Sequence, residues 1–167
     1  MAPLVTPTDL AAYLQRDVDL ATATLAVEGA SGAVRDLCGW PISQQVAVTL
    51  HATGNGSLVL GLPTLLLTAV TAVRVDGTLV DPSEYVWVRR GQVRRANGWP
   101  AWTRVEVDCT HGYDPVPDVV RLITLSLAAR DYGNPEAVES TVVGSVERKF
   151  FAPTPLDERL LEPYRLP

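Results

Sequence analysis

The chain has little of what most catalytic and metal sites are built from: two cysteines and two histidines in 167 residues. Cys38 and Cys109 are too few for a disulfide framework, and both are expected as free thiols packed like small apolar side chains. A closed zinc site takes about four ligands. His51, His111, Cys38 and Cys109 are scattered along the chain, so neither a metal nor another cofactor is expected. There is no glycine-rich phosphate loop, no Gly-x-Ser-x-Gly elbow and no His-Glu-x-x-His pair. Long apolar runs are missing too. The longest, Leu58 to Val73, is broken by Gly61, Pro63 and several threonines. It falls short of the ~20 residues a spanning helix needs, so no membrane partner is expected. The opening MAPLVTPTDL has no basic segment leading into an apolar one, so a secretory leader is not expected and synthesis in the cytoplasm is. Internal repeats and low-complexity segments are absent. A formal charge of -5 excludes nonspecific binding of nucleic acid by the whole surface, which relies on neutralising many phosphates; any such contact must be local.

What is present reads as an ordinary globular protein, 47% hydrophobic and 20% charged. A chain of this length forms one domain by default and buries roughly 70% of its unfolded surface, so a single core is the expectation. Thr6-Pro7-Thr8-Asp9 reads as a helix start before Leu10, Ala11, Tyr13 and Leu14. Asp17 is the expected cap of a second, longer helix ending at Gly39, with Val18, Ala21, Leu25, Ala30, Val34, Leu37 and Cys38 as its apolar stripe. Gly29 and Gly32 inside it each cost roughly 1 kcal/mol against alanine, which implies a bend or a closely packed neighbour.

From Gln45 the period changes to two. Val46, Val48 and Leu50 alternate with Ala47, Thr49 and His51, and Gly54-Asn55-Gly56 then suggests a hairpin into Leu58-Val59-Leu60. Leu65 to Val75 turns at Asp76-Gly77 into Thr78-Leu79-Val80. Val86 to Trp102, VWVRRGQVRRANGWPAW, places Arg89, Arg90, Arg94 and Arg95 around a tight turn. Arg104 to His111 alternates again, Val105, Val107 and Cys109 against Glu106, Asp108 and Thr110. Pro115 and Pro117 then open the helix VVRLITLSLAARDY. So many of its faces are apolar that it is expected to be central and buried, in the fold or in an assembly, leaving little besides Arg121, Thr124, Arg130 and Asp131 for water. The fold class is therefore α+β: N-terminal helices over 8–38, an antiparallel β region over 45–111, a central helix over 117–132 and a C-terminal arm over 139–167, taken as one domain over 1–167.

Three groups of residues could carry function. Asp108, Cys109, His111 and Asp114 bring carboxylates, a thiol and an imidazole within seven positions, as a small thiol or metal enzyme would need; ordinary strand packing explains them as well. Trp87, Trp99 and Trp102 could stack sugars or bases, or simply pack across strands. The arginines of the turn could meet DNA or an acidic partner, or be the solvated side of a hairpin.

Specific residues go further than patterns. Ala33 to Ile42, AVRDLCGWPI, resembles the VRDYCGWPI stretch of head-to-tail adaptor proteins of tailed bacteriophages infecting actinobacteria, with Leu37 where tyrosine is usual. Thr110 to Val120, continuing to Leu127-Ala128-Ala129-Arg130, is similar to that family's HGY..VP.DV....LLLAAR helix, and the ending LEPYRLP to its LD.YR.P tail. Thr141 to Phe151 diverges from the family. The resemblance implies a structural virion protein with no enzymatic activity, made in the host cytoplasm. It implies a ring of about twelve copies beneath the portal at the head-tail interface, with portal protein and a stopper or tail-side protein as partners and the subunit able to stay monomeric until the portal templates it. Another connector component, a stopper or tail terminator, is the alternative. On this resemblance Gly29, Gly32, Leu122 and Leu125 become candidates for packing between subunits. Arg148, Lys149, Phe150, Phe151, Tyr164 and Arg165 become candidates for an arm that contacts the portal. Arg89, Arg90, Arg94 and Arg95 become candidates for contact with a partner or, transiently and nonspecifically, with genomic DNA in the channel.

Overall fold

Thr6 begins the first helix as the sequence suggests: its hydroxyl accepts from the Asp9 backbone N–H at 3.1 Å, while the Asp9 carboxylate accepts from the Thr6 N–H at 2.8 Å. In this computed structural model, residues 1–133, 140–143, 146–149 and 154–166 are described, with side chains for 1–133 and 154–166. Contacts divide the chain into two units, Met1–Gly39 with Val116–Pro163, and Trp40–Pro115 with Tyr164–Pro167.

The first unit is helical. It holds α1 (Pro7–Leu14), α2 (Leu20–Cys38), α3 (Asp118–Gly133) and α4 (Pro155–Leu161). Asp19, not Asp17, caps α2; its carboxylate accepts from the Thr22 N–H at 2.9 Å, and its own N–H donates to the Tyr132 hydroxyl at 2.9 Å. That second bond is what selects between the two aspartates, and local sequence does not contain it. Ala23, Ala26, Val27, Ala30, Val34 and Cys38 bury one stripe of α2 against Val120, Ile123, Leu127 and Ala128 of α3. The small side chains let the two helix axes approach closely. Leu25, expected on that stripe, is 72% exposed. Arg121 reaches Asp9 at 3.2 Å, and Arg130 lies 3.6 Å from Asp157.

The described residues cover only part of the apolar surface of α3. One face is buried, but Leu122 is 57% exposed and Leu125 half-buried. Thr124, expected in water, is buried, and its hydroxyl donates to the Val120 carbonyl at 2.7 Å, which makes its burial tolerable.

The second unit is β. A four-stranded antiparallel sheet has the order β1 (Gln45–Thr53), β7 (Arg104–His111), β3 (Leu67–Val75), β4 (Thr78–Leu79). A three-stranded sheet has the order β2 (Val59–Gly61), β6 (Gln92–Arg95), β5 (Tyr85–Val88). Leu60, Tyr85, Val93, Val73, Val105, Val107, Cys109 and Trp99 from both sheets and their loops form a common core. The turn at Asp76-Gly77 forms as expected, both residues at positive φ, joining β3 to β4. The hairpin expected between β1 and β2 does not form: β1 pairs with β7 and β2 with β6. The Gly54-Asn55-Gly56 segment bonds elsewhere, Gly54 N–H to the Thr103 carbonyl at 2.8 Å and Gly56 N–H to the Trp99 carbonyl at 2.9 Å, so it carries the chain from one sheet to the other. Val46 is exposed because Ala47, at φ 51, breaks the alternation with a register shift between Gln45 and Val48. In the C-terminal arm β8 (Ser140–Val143) pairs antiparallel with β9 (Val146–Lys149).

Candidate interaction surfaces of the β unit

The four arginines of the β5–β6 hairpin separate into three environments. Alternation along β6 decides which way each points. Val93 faces the core, so Arg95, two residues on, lies on the same side. Its guanidinium donates to Glu84 Oε2 at 2.7 Å and sits 5.9 Å from the Trp99 ring centroid. Arg95 is thus held within the hairpin by Glu84 and Trp99, unlike Arg89, Arg90 and Arg94. Arg94 points to solvent between Val59 on β2 and Val86 on β5. Arg89 and Arg90 are exposed at the turn, which is held by the Leu67 N–H donating to the Arg89 carbonyl at 2.7 Å. Gly91, at φ 71, closes the turn where a Cβ would overlap the Thr64 carbonyl. Among the described residues Arg89, Arg90 and Arg94 form no ion pair.

The tryptophans also part company. Trp99 is fully buried with its indole N–H on the Val93 carbonyl at 3.1 Å, and Trp87 packs against the core. Trp102 is 91% exposed. It stands at φ 65, a left-handed conformation that costs about 1–2 kcal/mol for a residue other than glycine. Hydrogen bonds hold it there: its N–H donates to the Gly54 carbonyl at 2.8 Å, and the Thr103 hydroxyl donates to the Pro100 carbonyl at 2.8 Å. A shallow surface pocket of about 240 Å³ beside it is lined by His51, Ala52, Thr53, Thr103 and Arg104. The stacking platform of three tryptophans is therefore not assembled.

Asp108, Cys109 and His111 do not converge either. Asp108 points to the solvent side of β7, accepting from the Thr49 hydroxyl and Arg74 at 2.7 and 2.8 Å, contacts that hold its carboxyl below the usual range. Cys109 is buried on the other side, and burial, with the Asp108 charge adding to it, pushes its thiol up to about 11. A thiol so reluctant to ionise is a poor nucleophile. His111 is buried beside Thr64, with Nδ1 3.1 Å from the hydroxyl, and desolvation lowers its pKa. Neither cysteine forms a disulfide, and both are buried.

Of the residues assigned to the C-terminal arm, Phe150 and Phe151 lie outside the described residues, and Arg148 and Lys149 are placed in β9 by backbone alone. Arg165 is exposed. Tyr164 is held within the β unit: its carbonyl accepts the Trp40 indole N–H at 2.6 Å, and its ring meets Tyr113 edge-on at 5.9 Å. Among the described residues, nothing beyond their own helix backbone and chain neighbours lies within 4 Å of where a Cβ would stand at Gly29 and Gly32, so none of them explains these glycines by close packing.

No family model matches the chain, and no curated protein matches it. Solved structures do. A chain from the neck of an empty GTA particle, computed with C6 symmetry, superimposes with a TM-score of 0.57 at 17% identity, over 97% of this chain and 89% of that one. A chain from the neck of a native GTA particle, computed with C12 symmetry, gives 0.56 at 17%, over 95% and 86%. The fold is shared with chains of GTA particle necks. It is mixed α+β, with four α-helices and antiparallel sheets among the described residues, as the sequence suggests.

Sequence reasoning missed the apolar floor made by Val59, Val86 and Val88 around Arg94, all on the solvent side of the three-stranded sheet. A signal was present. Tyr85 and Trp87 on one face and Val86 and Val88 on the other make β5 apolar on both sides, more than a strand with one solvated face requires.

Proposed function

We propose that this chain is a structural subunit of a phage-type neck, an adaptor that forms a ring beneath the portal and joins the DNA-filled head to the tail. The observation that carries the reading is the likeness of fold over nearly the whole chain to subunits of necks computed with C6 and C12 symmetry. The residue stretches around Trp40, Tyr113 and Tyr164, similar to those of head-to-tail adaptors, support it independently. The helical and β units act as parts of one adaptor subunit, assembled in the host cytoplasm and resident at the head-tail junction. Its partners are further copies of itself, the portal, and a stopper or tail-side protein.

Exposed apolar groups on the helical unit fit this role. Leu25 and Leu122 are exposed, and the helix surface is open at Gly29 and Gly32, which suits close helix contacts between copies. Arg89 and Arg90 are the cations best placed for an acidic partner surface or, transiently, for DNA passing through the ring.

Light scattering and negative-stain microscopy of the purified protein, alone and with the portal of the same phage, test the proposal. Rings, or a protein layer on the portal, are expected. A monomer indifferent to the portal overturns the adaptor assignment, and cross-linking then asks whether the chain touches an adaptor instead, as a stopper would.

A further inference from the structure

Two features of the β unit have no partner among the described residues and match one another. The first is Trp102, nearly wholly exposed and fixed by its hydrogen-bonded loop, so that docking would cost it little conformational freedom. The second is the solvent side of the three-stranded sheet, where Val59, Arg94 and Val86 lie abreast on neighbouring strands in direct register. Strands spaced about 4.8 Å apart make this floor roughly 10 Å wide, enough for an indole. Its centre is a guanidinium with no carboxylate partner among the described residues, flanked by exposed valines.

We infer that Trp102 of one copy docks on the Val59–Arg94–Val86 floor of the next. The indole face would lie against the Arg94 guanidinium in a cation–π contact while its edges cover the valines. Each side supplies what the other lacks: an electron-rich aromatic face for an unpaired cation, and apolar surface for a large ring standing in water. An acidic protein surface would satisfy Arg94 but leave Trp102 exposed; a second copy of this chain satisfies both at once.

The two patches are separate. Trp102 stands beside His51, Thr53 and Arg104, on the solvent side of the four-stranded sheet, whereas Val59, Arg94 and Val86 leave the solvent side of the other sheet, with the common core between. A contact between unlike patches is head-to-tail: every copy that joins leaves one Trp102 and one floor free, and the chain of contacts propagates until it closes. The number of copies at closure rests on the neck reading; the contact itself rests on these two surfaces.

Disulfide trapping tests it, because Cys38 and Cys109 are buried. The Ala101→Cys, Val88→Cys double variant, which keeps Trp102, Val86 and Arg94 and places thiols at exposed positions beside the two surfaces, is expected on mild oxidation at high protein concentration to give disulfide-linked species extending beyond the dimer. A control pair, Ala101→Cys with the comparably exposed Leu79→Cys, is expected to give at least fivefold less. Adding Arg94→Ser to the first pair is expected to lower the yield severalfold. Equal cross-linking in the two pairs overturns the inference, and it does so even where microscopy shows rings, since the ring would then be held by other surfaces. A yield unmoved by Arg94→Ser removes the cation–π contact and overturns the inference as stated.

Discussion

The Trp40 indole N–H donates to the Tyr164 carbonyl at 2.6 Å, joining residues 124 positions apart within the β unit. Trp40 also lies 5.8 Å from Tyr113, whose ring meets Tyr164, so three aromatic side chains fasten the end of the chain. Trp40→Phe deletes the donor and shrinks a buried indole to a single ring; it is expected to cost about 2 kcal/mol in urea unfolding. Carboxypeptidase should then trim the terminal residues several times faster than in the unaltered protein, and an unchanged trimming rate would show that the aromatic contacts suffice.

The arginines of the hairpin should behave differently from one another. Arg95→Ser breaks the Glu84 ion pair and the contact with Trp99, and a loss of about 1 kcal/mol is expected by thermal or chemical unfolding. Arg89→Ser and Arg90→Ser should leave stability within about 0.5 kcal/mol. If the adaptor reading holds, this second pair lowers the yield of DNA-filled, tailed particles while the purified subunit melts normally.

Glycines supply a paired comparison. At Gly91 a Cβ meets the Thr64 carbonyl and the backbone is left-handed, so Gly91→Ala should destabilise by about 2 kcal/mol or more. At Gly29 and Gly32 the space is open and the backbone helical, so alanine should stabilise the isolated subunit by up to about 1 kcal/mol each. Should these glycines serve helix contacts between copies, the same alanines will weaken ring formation. Stability and assembly would then move in opposite directions, as a merely tolerated glycine would not allow.

Protonation of His111 links stability to pH. Burial lowers its folded pKa below the ordinary 6.5, so the unfolded chain binds the proton more readily. The contribution is fully present above that value and is lost as pH falls below it toward the folded pKa, where no further loss occurs. Melting temperature is expected to fall on acidification from about pH 7.5 to about pH 5.5, with a shallower slope in His111→Gln. Equal slopes would assign the effect to other groups.

Much of the fold was legible because it is written in local chemistry. The capping box at Thr6 and Asp9, the alternation from Arg104 to His111 and the Asp76-Gly77 turn each depend on residues a few positions apart, and each forms as read. The site was less legible. Four arginines close in sequence look like one patch, yet Arg95 is claimed by Glu84, eleven residues away, while Arg94 is left to solvent.

Sequence by itself determined the α+β order, the start of α1 and the face of β7 that enters the core, since these follow from hydrophobic period and backbone preference alone. Tertiary structure decided that β1 pairs with β7 rather than β2, that Asp19 caps α2 because Tyr132 reaches it, and that Trp102 stands in water while Trp99 is buried three positions before it. The physical reason is common to all three. Each outcome turns on which distant group satisfies a hydrogen bond or covers an apolar face, and that partner is chosen only when the chain packs.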